Sequence, residues 1–298
     1  MQNDRTKSLI HLHFIIFIWG FTSILGALID LDSSAIVWFR MMVGALSIAL
    51  YFILFSPNSF KLHPGVFKYY LLGGVIISLH WLFFFYAIKI SSISLTLSIL
   101  SSASLMTSFL EPLIYKRPFR FYEVFFGLFV ILGLYLIFGV QKENMLGIVT
   151  ALLCTLLSVL FSLLNGKLIQ HYPANPISFY QLLTGGLIFT LVLFFSEQTV
   201  AGFSRLTYDD WLWLVLLATV CTGYATIASV KILKHVTPFT MMISLNLEPV
   251  YGILFSLVIF GEKELMSAQF YVGVLIILGG VIGNGIYKRQ REKSVVQN

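Results

Sequence analysis

Apolar residues run in blocks along this chain, and polar residues fall between the blocks. Each block is about 20 residues long, the length an α-helix needs to cross roughly 30 Å of hydrocarbon. Ten blocks qualify: Leu9 to Ile29, Ser34 to Phe55, Tyr69 to Ile88, Ser92 to Ile114, Phe121 to Val140, Met145 to Asn165, Ile177 to Phe195, Trp211 to Val230, Phe239 to Phe260 and Ala268 to Tyr287. The pattern predicts an all-α integral membrane protein with ten transmembrane helices. In lipid a helix satisfies every backbone N–H and C=O within its own segment, which no open strand can do. Most connections are too short to hold a soluble domain; the longest, around Ser196 to Asp210, reads as a polar loop.

The blocks also repeat. GLFVILG at Gly127 to Gly133 matches GVLIILG at Gly273 to Gly279, and FRMMVGAL at Phe39 to Leu46 matches YQLLTGGL at Tyr180 to Leu187. The two matches come in the same order at nearly the same separation. They predict two five-helix repeats, residues 1–140 and 141–298, which together form one transmembrane domain. Five is odd, so the second repeat enters the membrane inverted. Inverted repeats are a device of secondary transporters, whose substrate site lies near the midplane between the copies.

Composition sharpens this picture. Hydrophobic residues make up 58% of the 298 and charged residues 11%, with a mean hydropathy of +0.90. A soluble domain carries about 25% charged residues, so lipid rather than water covers most of this surface. The net charge of +6 sits in short loops and at the ends, where the membrane accounts for it and nucleic acid does not. With the N-terminus in the cytoplasm, the inner segments hold Arg5, Lys7, Lys61, Lys68, Lys116, Arg117, Arg120, Lys167, Lys231, Lys234, Lys288, Arg289, Arg291 and Lys293. The outer segments hold only Lys89, Lys142, Arg205 and Lys263. The positive-inside rule therefore predicts a multi-pass protein of the cytoplasmic membrane with both termini in the cytoplasm. Asp30, Asp32, Asp209, Asp210, Glu262 and Glu264 gather outside. The basic start and apolar run near Arg5 resemble a leader, but no small-x-small cleavage site follows, so the run is read as the first spanning helix. Cys154 and Cys221 lie inside apolar blocks and imply neither a disulfide framework nor a metal site; no cofactor is expected.

The chain resembles the EamA-type ten-helix members of the drug/metabolite transporter superfamily. The resemblance rests on the five-plus-five layout, on WGF at Trp19 to Phe21, on Arg40 within WFRMMVGAL, on LEPVYGILFSLVIFGEKE from Leu247 to Glu264, and on the closing GVLIILGGVIG. It covers nearly the whole chain. One departure is that Tyr115-Lys116 stands in the first repeat where Gly261-Glu262 stands in the second. The resemblance implies export of small metabolites, amino acids or drugs, coupled to ions or to exchange. It also implies a central cavity lined by the first four and the sixth to ninth helices, with the fifth and tenth at the periphery.

Charge inside a bilayer costs about 2.5–3.5 kcal/mol per group on insertion scales and marks function by default. Arg40 is one such group: either an anchor snorkelling to the outer headgroups or a cavity guanidinium that offers a fork of donors to a carboxylate or phosphate. Glu248 lies deeper. It reads either as the structural partner of a buried donor such as Arg40, or as a proton- or cation-binding carboxylate that couples transport or clamps a substrate amine. Pro249 beside it lacks a backbone donor and clashes with the carbonyl of Leu245, which predicts a kink. Asn246 is expected to join helices. Glu111, near Lys116 and Arg117, reads as an interfacial salt bridge. His80 is either a hydrogen-bonded structural residue, or a proton carrier or substrate contact, since an imidazole ordinarily titrates near neutrality. Trp19, Tyr86, Tyr180, Gln181 and Tyr224 are candidates to line the cavity, because rings with one polar tip suit amphipathic solutes. Ser98, Ser101, Ser102 and Ser104 with Thr96 permit close helix approach. Gly279 and Gly283 form a small-xxx-small pair, a candidate packing or homodimer face.

These features favour a secondary transporter of a small molecule. No G-x-x-x-x-G-K-[ST] string is present, so ATP does not drive it directly. A membrane-embedded enzyme acting on lipid and a receptor or assembly factor are the alternatives. The first ordinarily needs clustered acids or histidines near the interface; the second has no obvious use for an inverted repeat.

Overall fold

The computed structural model describes residues 2–55, 61–119, 121–140, 144–195 and 203–297, and no strand occurs among them. The helices are α1 (Gln2–Leu28), α2 (Ser33–Phe55), α3 (Phe67–Ile90), α4 (Ile93–Leu100), α5 (Ala103–Tyr115), α6 (Phe121–Val140) and α7 (Met145–Leu168). They continue with α8 (Ala174–Phe194), α9 (Tyr208–Ala218), α10 (Ala225–Ile232), α11 (Pro238–Leu245), α12 (Leu247–Phe260) and α13 (Ala268–Gln297). Among the described residues eight helical segments are long and apolar enough to cross a membrane. Three of the eight are composite: Ile93–Tyr115, Tyr208–Ile232 and Pro238–Glu264. Helices α6 and α13 carry shorter apolar stretches, Phe125–Ile137 and Ala268–Gly280.

Helix ends follow local chemistry. The seventh apolar block, expected from Ile177, starts at Ala174 because Pro176 falls in the first turn, where its missing N–H has no intrahelical acceptor to lose. The Ser92 side chain caps α4 by accepting from Leu95 N, and Thr237 caps α11 by accepting from Thr240 N, with Pro238 at the first helical position. At the start of α9, Thr207 and Asp210 form a capping box, and Asp210 also accepts from the backbone N–H of Asp30 at the end of α1.

The composite segments break for identifiable reasons. Helix α4 ends at Leu100 and α5 starts at Ala103, and hydroxyls take up nearby carbonyls. Ser98 Oγ donates to Ser94 O at 2.7 Å, Ser102 Oγ to Ile99 O at 2.7 Å and Thr107 Oγ1 to Ala103 O at 2.7 Å. Helix α11 stops at Leu245, the residue whose carbonyl Pro249 was expected to displace. Asn246, expected to bridge helices, instead turns back on its own: Nδ2 donates to Met242 O and Ile243 O, both at 3.2 Å. Between α9 and α10 lies a π turn, Thr219–Tyr224.

Two carboxylates fasten these composite helices to each other. Glu264, at the end of the Pro238–Glu264 segment, accepts from Ile93 N (3.1 Å) and Ser94 N (3.0 Å), the first free amides of α4. Glu111, in α5, accepts from Phe239 N (3.1 Å) at the start of α11, and its other oxygen meets Arg117 Nε at 3.3 Å. The expected salt bridge of Glu111 is thus made with Arg117, and it shares the carboxylate with a helix start.

Helices α6 and α13 pack chiefly on each other, while α3 packs on α7 and α8, α2 on α8, and α1 on α12. The α6–α13 contact is close because glycine faces glycine: a Cβ at Gly273 would lie 2.8 Å from Gly133 O. Gly283 meets Phe126 of α6, whereas a Cβ added at Gly279 would meet nothing within 4 Å. The cavity forms among the other helices.

Candidate binding cavity

At the middle of the bundle α1, α2, α3, α4, α7, α10, α11 and α12 enclose a cavity of about 100 Å³. One water needs roughly 10–15 Å³ of such volume, so several fit, or the polar end of a solute. Its walls are Trp19, Arg40, Trp81, Phe84 and Phe161 among large residues, Met241, Met242 and Leu245 on one side, and the small polar groups of Thr22, Ser158, Ser162, Thr226 and Ser229. His80 and Glu248 complete it. No described residue of α6 or α13 reaches this wall.

Arg40 is buried, with 1% exposure, and does not snorkel. Its Nε donates to Thr222 Oγ1 at 3.0 Å, and that hydroxyl donates on to Leu217 O at 2.8 Å. The guanidinium lies over the Trp81 ring, 3.7 Å from its centroid, with Phe85 at 5.3 Å. A desolvated cation–π contact of this kind stabilises by about 2 kcal/mol. Nη1 is sealed from solvent, and among the described residues no protein group accepts from it. A buried donor left unsatisfied costs about 1–3 kcal/mol, more when charged, so this atom favours any acceptor that enters.

The π turn sits against the same site. Its Cys221 carbonyl accepts from the Trp19 indole N–H at 3.2 Å, and its Thr222 hydroxyl holds Arg40. A π turn leaves carbonyls without their usual partners and is common at functional sites. Here the Trp19 side chain of α1 takes the Cys221 carbonyl, and the turn's own Thr222 hydroxyl takes Leu217 O.

His80 is oriented by α7. Its Nδ1 meets Cys154 O at 2.9 Å, and because a carbonyl only accepts, Nδ1 carries the proton. In the neutral ring Nε2 is then an acceptor, and the hydrogen bonds of His80 among the described residues both fall on Nδ1. Glu248 is half-buried on the cavity wall. Among the described residues no hydrogen bond or ion pair joins it to Arg40, although both line the cavity. The cavity therefore holds a cation, a carboxylate and an imidazole that are not tied to one another.

The other sequence candidates lie elsewhere. Gln181 is fully buried and donates through Nε2 to Asn165 Oδ1 at 2.9 Å, a bond between α8 and α7. Helix α8, expected among the lining helices, contributes no wall residue. The reason is close packing: a Cβ at Gly73 of α3 would collide with the Gln181 side chain, so α8 seats behind α3. Tyr180 stacks on Tyr70 with centroids 5.6 Å apart. Tyr86 is 42% exposed, and Tyr224 donates or accepts at His11 Nε2 over 2.6 Å. Sequence reasoning passed over Thr222, Ser158, Ser162, Thr226 and Ser229. Their signal was present: Ser158 with Ser162 and Thr226 with Ser229 are polar pairs one turn apart in otherwise apolar helices.

A second, wider cavity of about 890 Å³ opens at the end of the bundle that carries Lys116, Lys167 and Lys234. Leu233 belongs to the walls of both cavities.

A family model described as the EamA-like transporter family matches residues 7–139 and again residues 145–286. A solved crystal structure aligns over 93% of this chain and 96% of its own, with a TM-score of 0.71 and 15% identity, a likeness of fold. No curated protein matches the sequence.

Proposed function

The chain belongs to the EamA-like transporter family, and on that premise we propose that it is a secondary-active transporter exporting a small metabolite, amino acid or drug across the cytoplasmic membrane. The observation that carries the reading is the central cavity, where Arg40, His80 and Glu248 converge without pairing. Arg40 takes an acid group of the solute, Trp19 and Trp81 give it an apolar wall, and Glu248, with His80 beside it, takes up and returns the coupling proton or cation. The architecture proposed is ten spanning helices in two inverted repeats, 1–140 and 141–298, working by alternating access. The matching breaks in Ile93–Tyr115 and Pro238–Glu264, each after a first run of eight residues, support that symmetry. Both termini are placed in the cytoplasm, so an impermeant thiol reagent added outside should label a cysteine at Ser204 and not one at Gln290. The reverse pattern would invert the orientation.

The test of transport is reconstitution. Purified protein in liposomes should move some of a panel of radiolabelled amino acids, organic acids and cationic drugs faster than empty liposomes do, under an imposed proton or sodium gradient. Flux at the level of empty liposomes across the whole panel, with correctly inserted protein, overturns the proposal.

A further inference from the structure

We infer that Glu264 and Glu111 are the two opposed latches of the transport cycle, each closing one face of the bundle by holding the first turn of the other composite helix. The inference rests on the transporter reading above.

The geometry is reciprocal. Helix α4 begins at the face where Ile90, Asp30 and Asp210 lie, and α11 begins at the opposite face, beside Lys167 and Lys234. A helix start leaves its first amides without acceptors, and an ionised carboxylate there is held both by hydrogen bonds and by the helix dipole. At the first face Glu264 takes Ile93 N and Ser94 N, and Ser94 Oγ adds a bond to Glu264 O at 3.4 Å. At the second face Glu111 takes Phe239 N. The two helices are thus pinned to each other at both ends.

What lies between the pins is the cavity. Leu100, at the break of the first segment, and Met241, Met242, Leu245 and Glu248, at the break of the second, form its wall. Opening the cavity to one face moves the halves apart on that face, which requires the latch there to release. The breaks near Ser101 and Asn246 let one half swing while the other stays pinned. Glu264 is buried, with 8% exposure, and Glu111 with 5%, so neither is a surface ion pair of little consequence. The latches are unequal: Glu264 spends both oxygens on α4, whereas Glu111 divides its oxygens between α11 and Arg117. The face closed by Glu264 is therefore the tighter seal.

The test reads the two faces separately, without any solute. A cysteine replaces Ser158 on the cavity wall, in a background with Cys154→Ala and Cys221→Ala, and an impermeant maleimide is applied to sealed vesicles of each orientation. Glu264→Gln exchanges charge-assisted bonds for neutral ones. It should raise labelling from the Glu264 face about tenfold and lower it from the other. Glu111→Gln should do the reverse at smaller size. The double variant should return the ratio of the two rates toward that of the parent, because two opposed biases cancel. Ser94→Ala, which removes only the supporting hydroxyl, should shift labelling the same way as Glu264→Gln to a lesser extent, and it stands in if that variant does not insert. Equal changes from both faces, a double variant shifted further from the parent than either single variant, or unchanged labelling in folded protein would overturn the inference. Solute flux is measured beside it. Flux without the labelling shifts sinks the latches alone, and the shifts without flux for any solute sink the transporter reading alone.

Discussion

The segments α4–α5 and α11–α12 each run for eight residues, break and continue, and each is capped at its start by a hydroxyl and by a distant carboxylate. They differ in what the break is for. In α4–α5 the hydroxyls of Ser98, Ser102 and Thr107 turn onto carbonyls of their own chain, and the segment gives the cavity only Leu100. In α11–α12 Asn246 does that internal work, Pro249 supplies the interruption, and Glu248 stands on the cavity wall with no protein hydrogen bond among the described residues. One break is thus satisfied within its own chain, and the other carries an acid on the cavity wall.

Changes that erase this difference should have the largest effect. Glu248→Gln leaves size and hydrogen bonding but removes ionisation, and it should reduce gradient-driven flux in liposomes to background while solute exchange persists. Unchanged uphill flux would remove Glu248 from coupling; failure to insert would return it to a structural part. Arg40→Lys comes next. It keeps the charge but loses the fork, the bond to Thr222 and the fit over Trp81, so flux should fall about tenfold with normal expression. If Arg40→Ala transports as well as Arg40→Lys, the guanidinium does not grip the solute. Pro249→Ala sharpens the comparison from the backbone side. It restores an N–H opposite Leu245 and should raise the thermal midpoint in detergent while slowing flux about threefold, since a straighter helix swings less readily. A lower midpoint would mean that the break is packed for rather than strained. The smallest effect belongs to Ser102→Ala. It loses one local bond to Ile99 O, about 1 kcal/mol or less, and flux should stay within twofold of wild type.

How much of this could be read from the residues follows from what a one-dimensional pattern contains. Apolar run length placed the helices, because the bilayer sets a single required length. Pro249 announced the break at Leu245, because its effect is local and covalent. Arg40 and Glu248 stood out because charge among apolar residues is rare for an energetic reason. Contacts between segments were harder to read. Nothing in the string tells that Thr222 meets Arg40 or that Gln181 points at Asn165; these depend on rotation of whole helices about their axes. Glu264 read as one outer acid among several, since its partners are backbone amides, which leave no mark on composition. The π turn had no proline or glycine pair to signal it, and the residues around it favour an ordinary helix equally well.

That π turn has a consequence for how such a protein diversifies. It accommodates one residue more than an α-helix of the same length, and one residue of helix corresponds to a rotation of about 100°. Thr226 and Ser229, which follow it, reach the cavity in the phase that the extra residue sets. Deleting a single position within Thr219–Tyr224 would leave every later residue of α10 in the chain but turn its polar pair away, presenting a different strip of the same helix. Length variation at this one place is a way to exchange part of the cavity wall in one step, without substituting any residue that lines it.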